Sequence, residues 1–179
     1  MTARFGNKED SRIVNKLFHE EKWTEARAYI LELLKEEPAD HWLLTQLGET
    51  CYEERRYQKA LEYTEQALKI TPRCPLVLWH YAGALDMLER NEEAINVYKG
   101  LIRRGTSRIA HGQCGEGVRS ARSLVNDCRY RLGLIYARTG RPVLARKYIR
   151  EHIANRSRSC TSIYGLREVK QKLAAISSN

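Results

Sequence analysis

Few side chains in this sequence could do chemistry, and they are scattered. His111 and Cys114 are separated by two intervening residues, the spacing of a zinc-ligand pair, with Cys128 downstream and Cys160 in the tail as further soft donors. A structural zinc site normally shows two tight pairs, and Cys128 falls inside a helical pattern, so no metal is expected. GQCGEG, residues 112–117, is a glycine-rich loop leading into a helix with Arg119 and Arg122 in its first turns. That arrangement can offer backbone N–H groups to an anion. Lacking a preceding strand, it is neither a dinucleotide fingerprint nor a P-loop, and a tight turn needing positive φ accounts for the same residues. Cys114 is the thiol best placed to be a nucleophile, close to the start of that helix. The five histidines, His19, His41, His80, His111 and His152, lie on different elements. Because HExxH, a nucleophile elbow and a recognisable Ser, His and acid set are all missing, neither an enzyme nor a cofactor site is expected.

The elements that carry these residues follow a period. In His41–Cys74, HWLLTQLGETCYEERRYQKALEYTEQALKITPRC, the residues Leu44, Leu47, Cys51 and then Ala60, Leu61, Tyr63, Thr64, Ala67 and Leu68 recur at three- and four-residue intervals. Two amphipathic helices result, separated by the polar EERRY turn. Gly48 and Ala60 are small where the helices must approach closely, and Pro72 resists continuation of the second. Leu44, Leu47, Gly48, Cys51, Ala60, Ala67 and Pro72 fall on the signposts of a 34-residue helix-turn-helix unit. The stretch resembles a tetratricopeptide repeat (TPR).

Repeats at the same offset flank it. Repeat one, about residues 7–40, places Ile13, Val14 and Leu17 on its first helix and Ala26, Ile30 and Leu33 on its second. Asp10 stands where a large apolar residue is expected, so this first helix reads as an N-terminal cap with a polar face. Repeat three, about 75–108, has Leu78, Tyr81, Ala82 and Leu85, then Ala94, Tyr98 and Leu101. The fourth match, Leu132, Gly133, Tyr136, Ala145 and Ile149, aligns to a start at Asn126 and runs to about 157, which is 17 residues late. Residues 109–125 are therefore an insert, expected to begin as glycine-rich coil and become helical near Glu116. Gly140 suits a helix C-cap and Pro142 the first turn of the next helix. After the basic, serine-rich NRSRSCTS come Ile163, Leu166, Val169, Leu173 and Ile176 at helical spacing. Residues 158–179 thus read as a basic linker and a C-terminal capping helix. The expected fold is all-α: a TPR-type solenoid of about four antiparallel helix pairs, capped at its C-terminal end.

The 179 residues are enough for one good core, with no long apolar span. MTARFGNKEDSR has no apolar stretch for a secretory signal, and five irregularly spaced cysteines are not a disulfide framework, so a cytoplasmic protein with free thiols and no membrane partner is expected. The net charge of +9 hides a split: residues 1–102 hold 14 Lys+Arg against 18 Asp+Glu, and residues 103–179 hold 17 against 4. That basic C-terminal half suggests an acidic contact there.

The resemblance adds an expectation about binding, since in TPR proteins the first helix of each repeat lines the ligand-facing surface. Carried over by position, this implicates Asn15 and Phe18; Trp42, Gln46, Glu49 and Tyr52; Trp79, His80 and Asp86; and Tyr130, Arg131 and Arg138. A one-residue change of register would instead pack Trp42, Trp79 and Tyr130 between helices. The clamp by which some TPR domains grip chaperone tails needs Lys, Lys and Arg where this chain has Ser11, Leu76 and His80, so that activity is not expected. The implied function is a non-catalytic scaffold that binds a peptide segment of a protein partner, with acidic residues set against Arg131, Arg138, Arg119 and Arg122. The alternative is RNA binding through the basic half, with Tyr130 or Tyr164 stacking on bases.

Overall fold

The structure is a computed structural model that describes residues 8–177. Asn7, the expected start of repeat one, lies outside the described residues. These residues form helices α1 (Lys8–His19), α2 (Trp23–Glu36), α3 (His41–Glu53), α4 (Tyr57–Ile70), α5 (Pro75–Met87), α6 (Asn91–Ala110), α7 (Gly117–Arg138), α8 (Pro142–Ala154) and α9 (Leu166–Ser177). They divide into two compact units, with the boundary between Arg90 and Asn91. The N-terminal unit holds α1 to α5, with α1 packed on α2, α3 on α4, and α5 against both α3 and α4. In the C-terminal unit α6 packs on α7, α7 on α8 and α8 on α9. The boundary falls between the two helices expected for repeat three, so α5 belongs to one unit and α6 to the other.

The turns that follow α1, α3, α5 and α7 repeat one hydrogen-bonded closure. At the end of α1, Lys22 N–H reaches back to Leu17 C=O at 2.9 Å while Glu21 N–H bonds Phe18 C=O at 3.0 Å. The same pair of bonds joins Arg56 to Cys51 and Arg55 to Tyr52, Arg90 to Leu85 and Glu89 to Asp86, and Arg141 to Tyr136 and Gly140 to Ala137. These are Schellman closures, which satisfy the last carbonyls of a helix by placing one residue in the left-handed region. Those residues are Glu21 (φ 54°), Arg55 (φ 60°), Glu89 (φ 59°) and Gly140 (φ 71°). The first three are 34 residues apart, and Gly140 follows Glu89 by 34 plus the 17 of the insert.

Between the paired helices, small residues set the distance. A methyl group added at Gly48 on α3 would lie 3.3 Å from the Ala60 carbonyl oxygen and 3.2 Å from Thr64 Cγ2 on α4. One added at Gly133 on α7 would lie 3.3 Å from the Ala145 carbonyl oxygen and 2.5 Å from Ile149 Cγ1 on α8. Gly48 and Ala60 are therefore in contact as expected. At the outer edge Asp10 accepts a 2.7 Å hydrogen bond from Tyr29 Oη. This explains the acid where the repeat wants an apolar residue: the bond pushes the Tyr29 phenol up to about 12.

Helix begins near Glu116 as expected, and it also occupies the start of the insert, where coil was expected. Compared with α4 and α5, α6 is six residues longer, α7 nine longer and the loop between them two longer. Helix α6 breaks at Gly105 (φ 74°, ψ 163°), where only glycine is comfortable, and then resumes to Ala110. Ile109 and Ala110 are buried, and that burial draws into helix a segment expected to be irregular. Gly112 and Gly115 are required because a Cβ there would come within 2.5 Å of the Arg108 and 2.3 Å of the Ala110 carbonyl oxygens. Cys114 (φ 58°) and Gly117 (φ 87°) complete the turn, so GQCGEG is a tight connection. The cap also differs from expectation. Its inward stripe is the buried Val169 with the partly buried Leu173, Ile176 and Tyr164, packed on Tyr130 and Ile149, whereas Ile163 is 76% exposed and precedes the helix. The turn Ser157–Cys160 and a 3.2 Å bond from Ile163 N–H to Asp127 Oδ2 hold that segment against α7 by its backbone.

Ala60→Leu overpacks the α3–α4 crossing and lowers stability by about 1–3 kcal/mol in denaturant titration. Arg55→Gly relieves the left-handed side chain and raises stability, by up to about 1 kcal/mol after the entropy cost of glycine. Removing residues 159–179 uncovers Tyr130 and Ile149 and produces aggregation visible by light scattering.

Candidate functional site

In the N-terminal unit, α3 and α5 lie side by side and hold most of the residues expected to face a ligand. Asp40 caps α3 by accepting from Trp42 N–H at 2.7 Å and Leu43 N–H at 3.1 Å, which fixes the register of the helix. Trp42 is half-buried and packs on the cluster of Val14, Ile30, Leu43 and Leu47, so its ring serves both core and surface. Gln46 is buried. Glu49 and His80, from adjacent helices, meet at 3.7 Å between Oε2 and Nε2. Tyr52 stacks edge-on against Tyr57 with ring centroids 5.4 Å apart, and Trp79 is half-buried on α5. Asn15 is exposed on α1, Phe18 turns inward to pack edge-on against Trp23, and Asp86 is buried.

Two residues beside this set carried no sequence signal. Glu53, the last residue of α3, has its carboxyl held above the usual range, first by partial burial and then by Glu49 and Glu21. Glu21 occupies the left-handed turn between α1 and α2. Glu21 and Glu53 are 32 positions apart, and the stacking of one repeat on the next is what brings them together.

The C-terminal unit treats its expected residues differently. Tyr130 is 0% exposed; its ring lies 4.5 Å from Tyr164 and 5.3 Å from His152, and its hydroxyl donates to Glu168 Oε1 at 3.3 Å. It is part of the cap core and presents no face to a ligand. Arg131 is half-buried, and Arg138 is exposed and donates to Asn91 Oδ1 at 2.8 Å. Arg119 is exposed, and Arg122 donates to Ser159 Oγ at 3.2 Å, tying the start of α7 to the serine-rich linker. Among the described residues no three of His111, Cys114, Cys128 and Cys160 bring ligand atoms together. Burial pushes the Cys128 thiol well above its ordinary value.

Behind Tyr130 lies a buried polar clasp. His152 is enclosed; its Nδ1 lies 2.9 Å from the Asn126 carbonyl oxygen and its Nε2 3.4 Å from Arg156 Nη1, which itself donates to Tyr164 C=O at 2.8 Å. The neutral ring with hydrogen on Nδ1 satisfies both contacts, because Nε2 is then free to accept from the guanidinium. The Asn126 amide returns a 3.0 Å bond to the His152 carbonyl. Asp127 Oδ1 sits 3.8 Å from His152 Nδ1. Burial lowers the His152 pKa and raises that of Asp127.

Residues 42–74 match the family model described as tetratricopeptide repeat. This stretch is a TPR. The crystal structure of PilW, a type IV pilus biogenesis factor, superposes with a TM-score of 0.75 at 17% identity, covering 97% of this chain and 70% of PilW. MamA from Desulfovibrio magneticus RS-1 superposes at 0.70 and 16% identity, covering 96% of this chain and 83% of MamA. A TPR protein from Parabacteroides merdae ATCC 43184 gives 0.63 at 19% identity, covering 96% and 60%. At such identities the likeness establishes an all-α TPR fold. No curated protein sequence matches the chain.

The clasp makes stability depend on pH. With its pKa depressed below 6.5, His152 stays neutral in the folded chain while the unfolded chain takes up a proton, so stability falls as pH drops through 6.5. His41, also lowered by burial, acts in the same direction, and Asp127 opposes it only at more acidic pH, between its raised pKa and 3.8. His152→Asn keeps a donor for the Asn126 carbonyl and removes the titration. The slope of melting temperature against pH between about 7 and 5 should become shallower in this variant.

Proposed function

We propose that this chain is a non-catalytic protein-interaction module that holds a segment of a partner protein on the face of α3 and α5. The observation that carries this reading is the juxtaposition of Glu49 and His80 across two helices, flanked by the partly exposed Trp42, Tyr52 and Trp79. Aromatic rings beside polar groups on a rigid helical surface are what peptide-binding faces use. TPR proteins typically serve as scaffolds for protein partners, and the fold supports the same use here. In the C-terminal unit the exposed Arg119, Arg122 and Arg138 suit acidic residues of such a partner, by charge-assisted hydrogen bonds. RNA held by stacking gains no support, since Tyr130 is enclosed and Tyr164 is stacked on it. Among the described residues no helix is long and apolar enough to cross a membrane. The proposal sets the protein in the cytoplasm, where its five free cysteines stay reduced.

All three tryptophans, Trp23, Trp42 and Trp79, belong to the N-terminal unit, so intrinsic fluorescence reports on this face. Proteins captured from source-cell lysate on the immobilised chain, once purified, should shift that fluorescence; capture without any shift would count against the α3–α5 face. Arg119→Gln with Arg122→Gln should weaken capture of an acidic partner while changing stability by no more than about 0.5 kcal/mol, as exposed substitutions do.

A further inference from the structure

The electrostatics of the N-terminal unit run opposite to those of the C-terminal one. Trp42, Gln46, Glu49 and Glu53 follow one another along α3 at intervals of four, three and four residues, which places them on one stripe. Glu21 adds a third carboxylate at the end of that stripe and acts electrostatically on Glu53. Two cations close to Glu21 and Glu53 in the chain are engaged with other acids. Lys22 Nζ is 2.8 Å from Glu20, and Arg56 Nη1 is 3.5 Å from Glu54. Among the described residues no lysine or arginine forms an ion pair with Glu21, Glu49 or Glu53; the imidazole of His80 approaches Glu49.

An independent feature of the same stripe points to a ligand. Gln46, one turn before Glu49, is only 6% exposed and makes no hydrogen bond within the described residues. Neither amide atom of Gln46 is fully enclosed, so the tip of this otherwise buried side chain opens on the surface with no partner among the described residues. The main chain of an extended peptide provides the reciprocal donor and acceptor that a glutamine amide needs.

Building on the protein-interaction reading above, we propose that this face seats an extended segment of another protein bearing lysine or arginine. Its cations lie among Glu49, Glu53 and Glu21, its main chain meets the Gln46 amide, and its aliphatic stems rest on Trp42 and Trp79. The mutual repulsion that holds the Glu53 carboxyl up is relieved when a cation arrives. Nucleic acid is disfavoured here, since its phosphates would meet three carboxylates.

The test uses the whole chain and two fluorescein-labelled peptides of equal length, one alternating lysine with leucine and serine, the other with glutamate in place of every lysine. In anisotropy titrations the lysine peptide should bind at least about tenfold tighter than the glutamate peptide and weaken as salt is raised. Glu49→Gln with Glu53→Gln, and separately Gln46→Leu, should each weaken the lysine peptide by about tenfold. Melting temperature should be unchanged in the first variant and not lowered in the second, because Gln46→Leu gives up no side-chain hydrogen bond within the described residues. Equal or tighter binding of the glutamate peptide, or lysine-peptide binding indifferent to both variants, overturns the basic-segment proposal while the interaction module stands. Failure of both peptides to bind overturns both readings. If sedimentation instead shows a dimer that Glu49→Gln with Glu53→Gln dissolves, the occupant is a second copy of this chain and the proposal of a separate partner falls.

Discussion

Backbone-to-backbone approach at the paired helices is the constraint on which the rest of each unit depends. Gly48 against the Ala60 carbonyl, and Gly133 against the Ala145 carbonyl, leave no room for another methyl without a shift. Helices packed that closely leave larger residues only the rows on either side, and those rows become the surfaces on which the next helix stacks. Leu47, Leu61, Leu132 and Ile149 are enclosed as a result. The Schellman closures then fix where each second helix begins, so crossing and turn together determine the face each first helix offers.

A consequence is that position along a first helix decides between core and surface by very little. Trp42 occupies the boundary, with part of its ring on the Val14–Leu47 cluster and part accessible. Tyr130 is enclosed because the cap arrives from the side: Tyr164, His152 and Glu168 all converge on its ring or hydroxyl. In this unit Arg119, Arg122 and Arg138 of α7 stay at the surface, as Glu53 of α3 does in the N-terminal unit.

What could be read in the sequence was whatever repeats. Gly48, Ala60, Gly133, Ala145, Gly140 and Pro142 each announce a role that depends only on their own helix pair, and the structure gives them those roles. What could not be read depends on neighbours distant in the chain. The approach of Glu21 to Glu53 needs two repeats stacked, and the clasp of Asn126, His152 and Arg156 needs three elements in register. Ile163 and Leu166 matched a helical period but lie on the outer side, because the backbone of the preceding turn was already fastened to Asp127. Gly105 gave no hint that helix would resume beyond it, since burial of Ile109 and Ala110 decides that locally.

The lengthened pair α6 and α7 shows how an array of this kind tolerates an interruption. The added turns of α7 lie at its N-terminal end, away from Gly133, whose 3.3 Å approach to the Ala145 carbonyl oxygen matches that of Gly48 to the Ala60 carbonyl oxygen. The extra nine residues of α7 add roughly 13 Å of rod. The added chain therefore behaves as a spliced-in outrigger: the splice respects the frame of the motif, since both the tight crossing and the left-handed turn resume 85 positions after their counterparts in the second repeat. A change in the length of such an arm would leave the crossing at Gly133 and the turn at Gly140 in place, and would be felt where Ile109, Ala110 and Arg122 make their contacts.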